Sequence, residues 1–171
     1  TRLVFNDTRK FGRVWLVDDP RTVTGSLGPD PLNDELSPAE FLELLHRHHK
    51  RIKTLLLDQT FLAGLGNIYS DEALFRAGIH PMTVSSSLGE EDAERLLNAI
   101  RSVLKDGIEQ NGASIDWVYR GGSFQNHFNV YQRTGQPCLV CATPIQRMLV
   151  GQRGTHFCPH CQRLVEKVQI R

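Results

Sequence analysis

Four cysteines stand in two close pairs in the last third of the chain, and the sequence contains no others. Two residues separate the members of each pair and 16 separate the pairs, which comprise Cys138, Cys141, Cys158 and Cys161. Two such pairs place four thiolates around one tetrahedral ion, a pattern typical of structural zinc and not of a disulfide set. Four protein ligands leave no open position for a reacting water. We therefore predict one structural zinc ion in a β-hairpin, in a chain that resides in a reducing compartment.

Charge is unevenly distributed along the 171 residues, although the formal net charge is only +1. Residues 113–171 carry seven Lys or Arg and two Asp or Glu, a net charge of +5 that leaves −4 for residues 1–112. A basic C-terminal part favours a polyanionic partner, and a chance distribution of surface charge is the alternative. No stretch approaches the roughly 18 apolar residues that span a bilayer, and the first residues lack the layout of a signal peptide.

The first 18 residues are predicted to form two short strands. Residues 3–5 and 14–17 are rich in β-prone side chains, and the polar residues 7–12 connect them. Two strands alone are marginal in water, so we expect this hairpin to belong to a sheet of a longer protein. Residues 19–32 contain several Gly and Pro and are predicted to be a linker.

Helices are predicted to dominate the middle of the chain. A capping box at residues 37–40, with proline at the first helical position, predicts a helix that runs to about residue 49. Further helices are predicted over residues 67–77 and 90–110, the latter from an apolar stripe at helical spacing. The histidine-rich residues 46–51 fit the negative end of a helix dipole better than a metal site. Short strands are predicted at residues 128–131, 146–150 and 155–157.

Two turns carry residues suited to a nucleic acid. Gly64 and Gly66 precede a helix start at which Asn67 is a candidate N-cap, and the exposed N–H groups there suit a phosphate. An ordinary glycine turn before a helix is the alternative. Arg9 and Phe11 occupy the tip of the predicted N-terminal hairpin, where Phe11 could wedge between bases and Arg9 could donate hydrogen bonds. An exposed tip without any role is the alternative there.

Several motifs follow one another along nearly the whole chain: Asp-Thr-Arg-Lys-Phe-Gly-Arg at residues 7–13, Leu-Asp-Gln at 57–59, Gly-Leu-Gly-Asn-Ile-Tyr at 64–69 with Glu72, Gly-Ile-His-Pro at 78–81, Val-Tyr at 130–131 with Gly-Gln-Pro-Cys at 135–138, and Arg-Gly-Thr-His-Phe-Cys-Pro-His-Cys-Gln at 153–162. In this order they closely resemble the formamidopyrimidine-DNA glycosylase/endonuclease VIII family of base-excision repair enzymes. The resemblance is nearest to the formamidopyrimidine branch.

The resemblance implies a mainly α fold with a small β part. It implies a helix–two-turns–helix domain over residues 33–128 and a β-hairpin zinc finger over 129–165, followed by a tail over 166–171. Residues 1–18 match a two-strand remnant of the family's N-terminal β-sandwich domain.

The resemblance also implies roles for single residues. Asn67, with the backbone at Gly66, and Arg153 match the family's ligands for the phosphates that flank a lesion. Arg9 and Phe11 match the side chains that fill the space left by a flipped-out base.

The sequence departs from the family at two places. The family's nucleophile is an N-terminal proline, assisted by a neighbouring glutamate and a lysine further on, whereas residue 1 here is Thr. We therefore expect these residues to bind damaged duplex DNA as a monomer without cleaving it, although the parent protein is an enzyme. The stretch between Ser114 and Phe124 is shorter than the family loop that covers oxidised guanine, so preference for that lesion is open.

Three functions remain open at this point. The leading one is the DNA-binding portion of a repair glycosylase and AP lyase, acting on oxidised or formamidopyrimidine bases. We expect such a protein to lie with the chromosome in a bacterial cytoplasm, without membrane contact. The alternatives are a zinc-ribbon module that binds RNA or protein, and a complete enzyme that forms a covalent complex with abasic DNA.

Overall fold

A computed structural model describes residues 2–5, 7, 12–33, 35–114 and 121–164 of the chain. Arg9 and Phe11 lie outside these described residues. Within the described ranges the fold has five α-helices and one antiparallel two-stranded sheet, which confirms the mainly α prediction. The elements are α1 (Arg21–Thr24), α2 (Pro38–His46), α3 (Ile52–Leu56), α4 (Asn67–Ala77), α5 (Glu90–Glu109), β1 (Gln146–Val150) and β2 (Arg153–Phe157), with 3-10 turns at Ser85–Ser87 and Phe124–His127. None of the described helices combines the length and apolar character required to cross a membrane.

Helix α2 begins as its sequence predicts and ends earlier. The Ser37 hydroxyl accepts from the backbone N–H of Glu40 at 3.2 Å, and the Glu40 carboxylate accepts from the backbone N–H of Ser37 at 2.8 Å. The helix stops at His46, three residues before the predicted end, because the following residues bond to the segment ahead of α5. His46 Nε2 lies 2.8 Å from the carbonyl of Leu88, and His49 Nδ1 lies 2.9 Å from the hydroxyl of Ser86.

The main hydrophobic core lies between α2, α4 and α5. Most of the predicted apolar stripe of α5 is buried there, namely Ala93, Leu96, Leu97, Ile100 and Val103, with Leu104 partly buried. The prediction was wrong for Ile108 in the last turn, whose side chain is 65% exposed because it lies beyond the packed part of the helix. Tyr69 of α4 stacks on Phe124, with ring centroids 5.2 Å apart. Gly107 of α5 lies directly beneath the Tyr69 ring, since a Cβ built on Gly107 would be 2.6 Å from Tyr69 Cε1. This core fixes α4, whose opposite side meets the C-terminal part of the chain.

Gly107→Ala is expected to lower the free energy of unfolding by about 1–3 kcal/mol, because the added methyl group overpacks the contact with Tyr69. The higher helix propensity of Ala offsets about 1 kcal/mol at most. Asn98→Ala on the exposed face of α5 is the matched control, and it is expected to leave stability unchanged or slightly raised. Urea unfolding of the three proteins measures the difference, and equal stability of Gly107→Ala and the unaltered chain would contradict the packing described.

The two N-terminal strands predicted from the sequence do not form among the described residues. Residues 2–5 and 12–17 carry no strand, and their apolar side chains are exposed, with Leu3 89% and Leu16 102% accessible. The prediction of two strands was therefore wrong for the described residues. A strand needs backbone partners and a packed face, and residues 3–5 and 14–17 have neither among the described residues. The predicted linker contains the short helix α1.

The finger contains a single described hairpin. Strands β1 and β2 pair in antiparallel register, with Arg147 opposite His156 and Leu149 opposite Gly154. Gly151 and Gln152 connect them with positive φ angles of 55° and 64°, as a two-residue hairpin turn requires. Strand β2 begins two residues before its predicted start. The strand predicted at residues 128–131 is absent, because a buried carboxylate binds the backbone N–H groups that a ladder would use.

Candidate metal centre and nucleic-acid interface

The four cysteine thiols form one compact cluster. Their Sγ atoms all lie within 4.8 Å of one another, and pairs are separated by 3.4 Å (Cys141 to Cys158), 3.5 Å (Cys141 to Cys161) and 3.9 Å (Cys138 to Cys161). A regular tetrahedron with zinc–sulfur bonds of about 2.3 Å has sulfur atoms about 3.8 Å apart. The cluster therefore fits one structural zinc ion, as the cysteine spacing predicts.

The protein surroundings prepare the thiols unequally for a metal. Hydrogen bonds from the side chain and backbone of Thr143 lower the pKa of Cys141 to about 6. Burial raises the pKa of Cys158 and that of Cys161 above the usual range for a thiol. Since zinc binds thiolates, loading the site must release protons, and Cys158 and Cys161 are among the thiols that supply them.

One face of α4 carries the finger along its whole length. Asn67, Asp71 and Phe75 stand four residues apart, so their side chains project from the same side of the helix. The Asn67 amide Nδ2 donates to the carbonyl of Gly154 at 3.0 Å. Phe75 is buried in the small core of the finger, which comprises Val130, Cys138, Ile145 and Cys158. The zinc site is thus held against the same helix that carries Asn67.

A fully buried ion pair joins α3, α4 and β2. Lys53 Nζ lies 2.5 Å from Asp71 Oδ1, and both side chains are 0% exposed. The other Asp71 oxygen accepts from the backbone N–H of His156 at 2.8 Å and lies 3.2 Å from His156 Nδ1. Burial lowers the pKa of Lys53, the Asp71 carboxylate opposes that shift, and the positive charge of Arg153 adds to it. The sequence analysis missed these residues, although the spacing of Asn67, Asp71 and Phe75 could have indicated the shared face.

Glu72 anchors the segment that enters the finger. Its buried carboxylate accepts from the backbone N–H groups of Asn129, Val130 and Tyr131 at 2.9–3.0 Å. The side-chain amide of Asn129 donates to the same carboxylate at 2.9 Å. At the other end of α4, the buried side chain of Gln162 donates to the carbonyl of Ile79 and accepts from the N–H of Cys158. Glu72 and Gln162 therefore fix the finger on both sides of the zinc site.

Glu72→Gln is expected to lower the free energy of unfolding by about 2–4 kcal/mol, because an amide N–H then faces backbone donors that a charged carboxylate satisfied. Hydrogen exchange measures this locally, and we expect the amides of Asn129, Val130 and Tyr131 to exchange faster. Glu94→Gln on the exposed face of α5 is the control. Unchanged protection of those three amides would contradict the anchoring role of Glu72.

The N-terminal end of α4 is open to solvent. Gly66 is the N-cap residue and no side chain caps the helix, so Asn67 is the first helical residue and not the predicted N-cap. Gly64 has a φ of +84°, and the Gln59 side chain holds this turn by bonding the N–H of Gly64 and the carbonyl of Leu65. A Cβ on Gly64 or Gly66 would meet nothing within 4 Å. The exposed N–H groups of the first turn are therefore accessible to an anion.

The side chain of Asn67 contacts β2 at the residue next to Arg153. Gly154, which accepts the Asn67 amide, directly follows the exposed Arg153, and Arg147 lies across Gly154. The side-chain amide of Asn67 has two N–H donors, and one of them bonds to the carbonyl of Gly154. The buried Oδ1 of Asn67 accepts no hydrogen bond from any described residue. Residues 121–164 contain four Arg and no Asp, Glu or Lys, so the formal charge of this part of the chain is entirely positive.

A helical domain that carries a four-cysteine zinc finger on one of its helices defines a class of DNA-binding modules. The chain matches the model of the formamidopyrimidine-DNA glycosylase H2TH domain over residues 27–118, more than half of its length. It also matches the zinc finger found in FPG and IleRS over residues 135–164. The chain belongs to the formamidopyrimidine-DNA glycosylase family.

Similar proteins support this assignment. The formamidopyrimidine-DNA glycosylase of Solibacter usitatus is 50% identical over 165 residues, which cover 94% of this chain and 62% of that protein. The corresponding protein of Chloroflexus aggregans is 48% identical over 171 residues, which cover 96% of this chain and 62% of that protein. The chain therefore spans about 62% of the length of these relatives.

Solved structures have the same fold. The crystal structure of the MutM (Fpg) protein from Thermus thermophilus superimposes with a TM-score of 0.84 at 43% identity, covering 91% of this chain and 62% of that one. The Lactococcus lactis Fpg protein, in complex with DNA that contains an abasic site, gives a TM-score of 0.78 at 40% identity, covering 85% and 55%.

Proposed function

We propose that this chain is the DNA-binding portion of a base-excision-repair glycosylase and AP lyase that acts on oxidised or formamidopyrimidine bases in duplex DNA. The observation that carries the proposal is the hydrogen bond from Asn67 to Gly154, which brings the helical domain and the finger together at Arg153. We call Asn67 and Arg153 the phosphate clamp. A homologous protein binds DNA that contains an abasic site, which supports the same ligand for this chain.

The clamp has the chemistry that phosphate binding requires. The guanidinium of Arg153 offers charged donors in a planar fork, and the Asn67 amide has a second N–H donor besides the one bonded to Gly154. The uncapped N–H groups at Gly66 and Asn67 add the positive end of the α4 dipole. Contacts of this kind fix the register of a duplex without reading its bases. Recognition of the lesion is then assigned to other groups, among which we propose Arg9 and Phe11.

We also propose that the 171 residues, assayed alone, bind damaged duplex DNA without cleaving it, because they span about 62% of the length of the relatives and the motifs that they share with the family do not include its proline nucleophile. Borohydride trapping with an abasic duplex tests this directly. The expected result is no covalent complex under conditions in which the duplex is bound. A trapped complex would instead favour a complete enzyme.

The clamp is tested by the affinity of the zinc-loaded chain for a duplex that contains an abasic site, measured at low salt. Asn67→Ala and Arg153→Ala are each expected to weaken binding by about tenfold or more, since a hydrogen bond to a charged group contributes about 1.5–3 kcal/mol. Arg163→Ala is the matched control. It removes the same charge from the finger, but Arg163 lines a cavity with Gly78 and His80. Gly78 ends α4, about 16 Å along the helix axis from Asn67.

The competing function is tested in the same titration. An RNA stem or a single strand of equal length replaces the duplex, and we expect weaker binding to both. Tighter binding to RNA, or equal losses for Arg153→Ala and Arg163→Ala, would favour the zinc-ribbon module that recognises RNA or protein.

A further inference from the structure

The buried ion pair of Lys53 and Asp71 lies beneath a surface that could bind phosphate with exposed cations alone. Lys53 and Asp71 have no solvent contact, and Lys53 is the only fully buried Lys or Arg among the described residues. Isolated buried charges are destabilising, and an apolar pair of similar size is often at least as stable. The stability of the helical core therefore does not explain the pair. Its position between both members of the phosphate clamp indicates another role.

The ion pair contacts the backbone of both clamp elements. Lys53 Nζ donates to the carbonyl of Asn67 at 2.8 Å, which holds the first residue of α4. The Asp71 carboxylate accepts from the N–H of His156 in β2, three residues beyond Arg153. The side-chain amide of Asn67 donates to the carbonyl of Gly154, which is a second link between α4 and β2. Three short links thus join α3, α4 and β2 around the fully buried pair of Lys53 and Asp71.

Further contacts hold the β2 end of this network. The His156 ring packs edge-on against Tyr131 with centroids 4.9 Å apart, and the backbone N–H of Tyr131 is bound by Glu72. Movement of β2 relative to α4 would break the Asp71 contact with His156 and the Asn67 contact with Gly154 together. The network is therefore suited to fix the separation of the two clamp side chains before any ligand arrives.

We propose that Asp71, together with Lys53 and His156, is a positioning unit that makes Asn67 and Arg153 bind the DNA backbone as one cooperative pair. The inference rests on the proposed function, since it concerns the same clamp. Asp71 touches no phosphate in this account. It acts by holding the two ligands at a fixed spacing, so that neither has to be ordered when the duplex binds.

Cooperation between the clamp residues has a measurable signature in a double-mutant cycle. When the network is intact, Asn67→Ala removes the bond to Gly154 and also weakens what Arg153 contributes. The combined loss of Asn67→Ala and Arg153→Ala is then smaller than the product of the single losses, by about fivefold or more. When the network is broken, the two ligands act separately and their fold-losses multiply.

The experiment repeats this cycle in the zinc-loaded chain with Asp71→Asn, using the abasic duplex at fixed salt. Asp71→Asn is expected to reduce the coupling factor from about fivefold to less than twofold. Lys53→Met/Asp71→Asn is the second background, because it removes both buried charges and leaves a side-chain acceptor for His156. The matched control is Asp106→Asn, which breaks the ion pair of α4 with α5 through Arg76, 2.6 Å apart and partly exposed. It is expected to keep the full coupling factor.

Zinc content and the urea midpoint are measured for every background, so that loss of fold is separated from loss of coupling. Coupling that persists in both network variants would overturn the positioning role, as would its absence from the unaltered chain or its loss in Asp106→Asn. If the unaltered chain fails to bind the duplex, that result contradicts both the proposed function and this inference. If the chain binds and both single clamp variants weaken binding independently, only the inference fails.

Discussion

Removal of zinc is expected to unfold the finger and abolish duplex binding while the helical domain stays folded. Structural zinc in finger peptides contributes about 10–16 kcal/mol of binding free energy, which the small apolar core around Phe75 cannot replace. The main core extends from Leu36 to Phe128 and contains none of the cysteines, so it does not depend on the metal. Chelation, or Cys158→Ser at the most buried ligand, therefore separates the two parts of the chain.

Circular dichroism and titration with the abasic duplex measure this separation. We expect most of the helical signal to remain after chelation, with binding weakened by more than about a hundredfold. Zinc added back to the chelated wild-type chain is expected to restore binding, whereas magnesium is not, because thiolates select soft metals. Undiminished binding by the zinc-free chain would show that the cysteine cluster has no structural role in the clamp.

Lys53→Met is the second large effect, with an expected loss of about 3–5 kcal/mol in the free energy of unfolding. The substitution leaves the carboxylate of Asp71 buried and without its cation, whereas the methionine side chain fills a similar volume. Lys53→Met/Asp71→Asn is expected to recover most of this loss, because no buried charge then remains. Urea unfolding of the zinc-loaded proteins gives all three values.

An exposed lysine nearby provides the control for this prediction. Lys50 also pairs with an aspartate, Asp58, at 3.3 Å, but its side chain is 50% exposed. Lys50→Met is therefore expected to cost less than about 1 kcal/mol, as exposed ion pairs do. If Lys53→Met and Lys50→Met cost the same, or if the double variant is no more stable than Lys53→Met, the buried pair is not energetically coupled.

Features fixed by local chemistry could be predicted from the sequence. The cysteine pairs define the zinc site, because the spacing within each pair determines which thiolates can share an ion. The bounds of α4 match the prediction, since a glycine stands at each end of the helix. Helix α5 ends within one residue of its predicted end, at which Asn111 and Gly112 adopt positive φ. Each of these signals lies within a few residues of the structure that it specifies.

Features that depend on distant partners could not be predicted in the same way. Residues 128–131 have a strand-like sequence, but Glu72 of α4 binds their N–H groups from 57–59 positions away. The short helix α3 starts at Ile52 because the Ile52 and Lys53 amides bond to carbonyls of Thr83 and Pro81. Burial of Lys53 itself depends on Asp71, which lies on another helix. A sequence pattern shows none of these pairings.

The central claim, that Asn67 and Arg153 hold the DNA backbone, is tested most directly by the salt dependence of duplex binding. Affinity that depends on phosphate contacts falls linearly with salt on logarithmic axes, with a slope of about −0.9 for each phosphate neutralised. For the zinc-loaded chain we expect a steep slope, which Arg153→Ala reduces by about one unit while Arg163→Ala leaves it unchanged. A shallow slope for the unaltered chain, or one that Arg153→Ala does not change, would contradict the account.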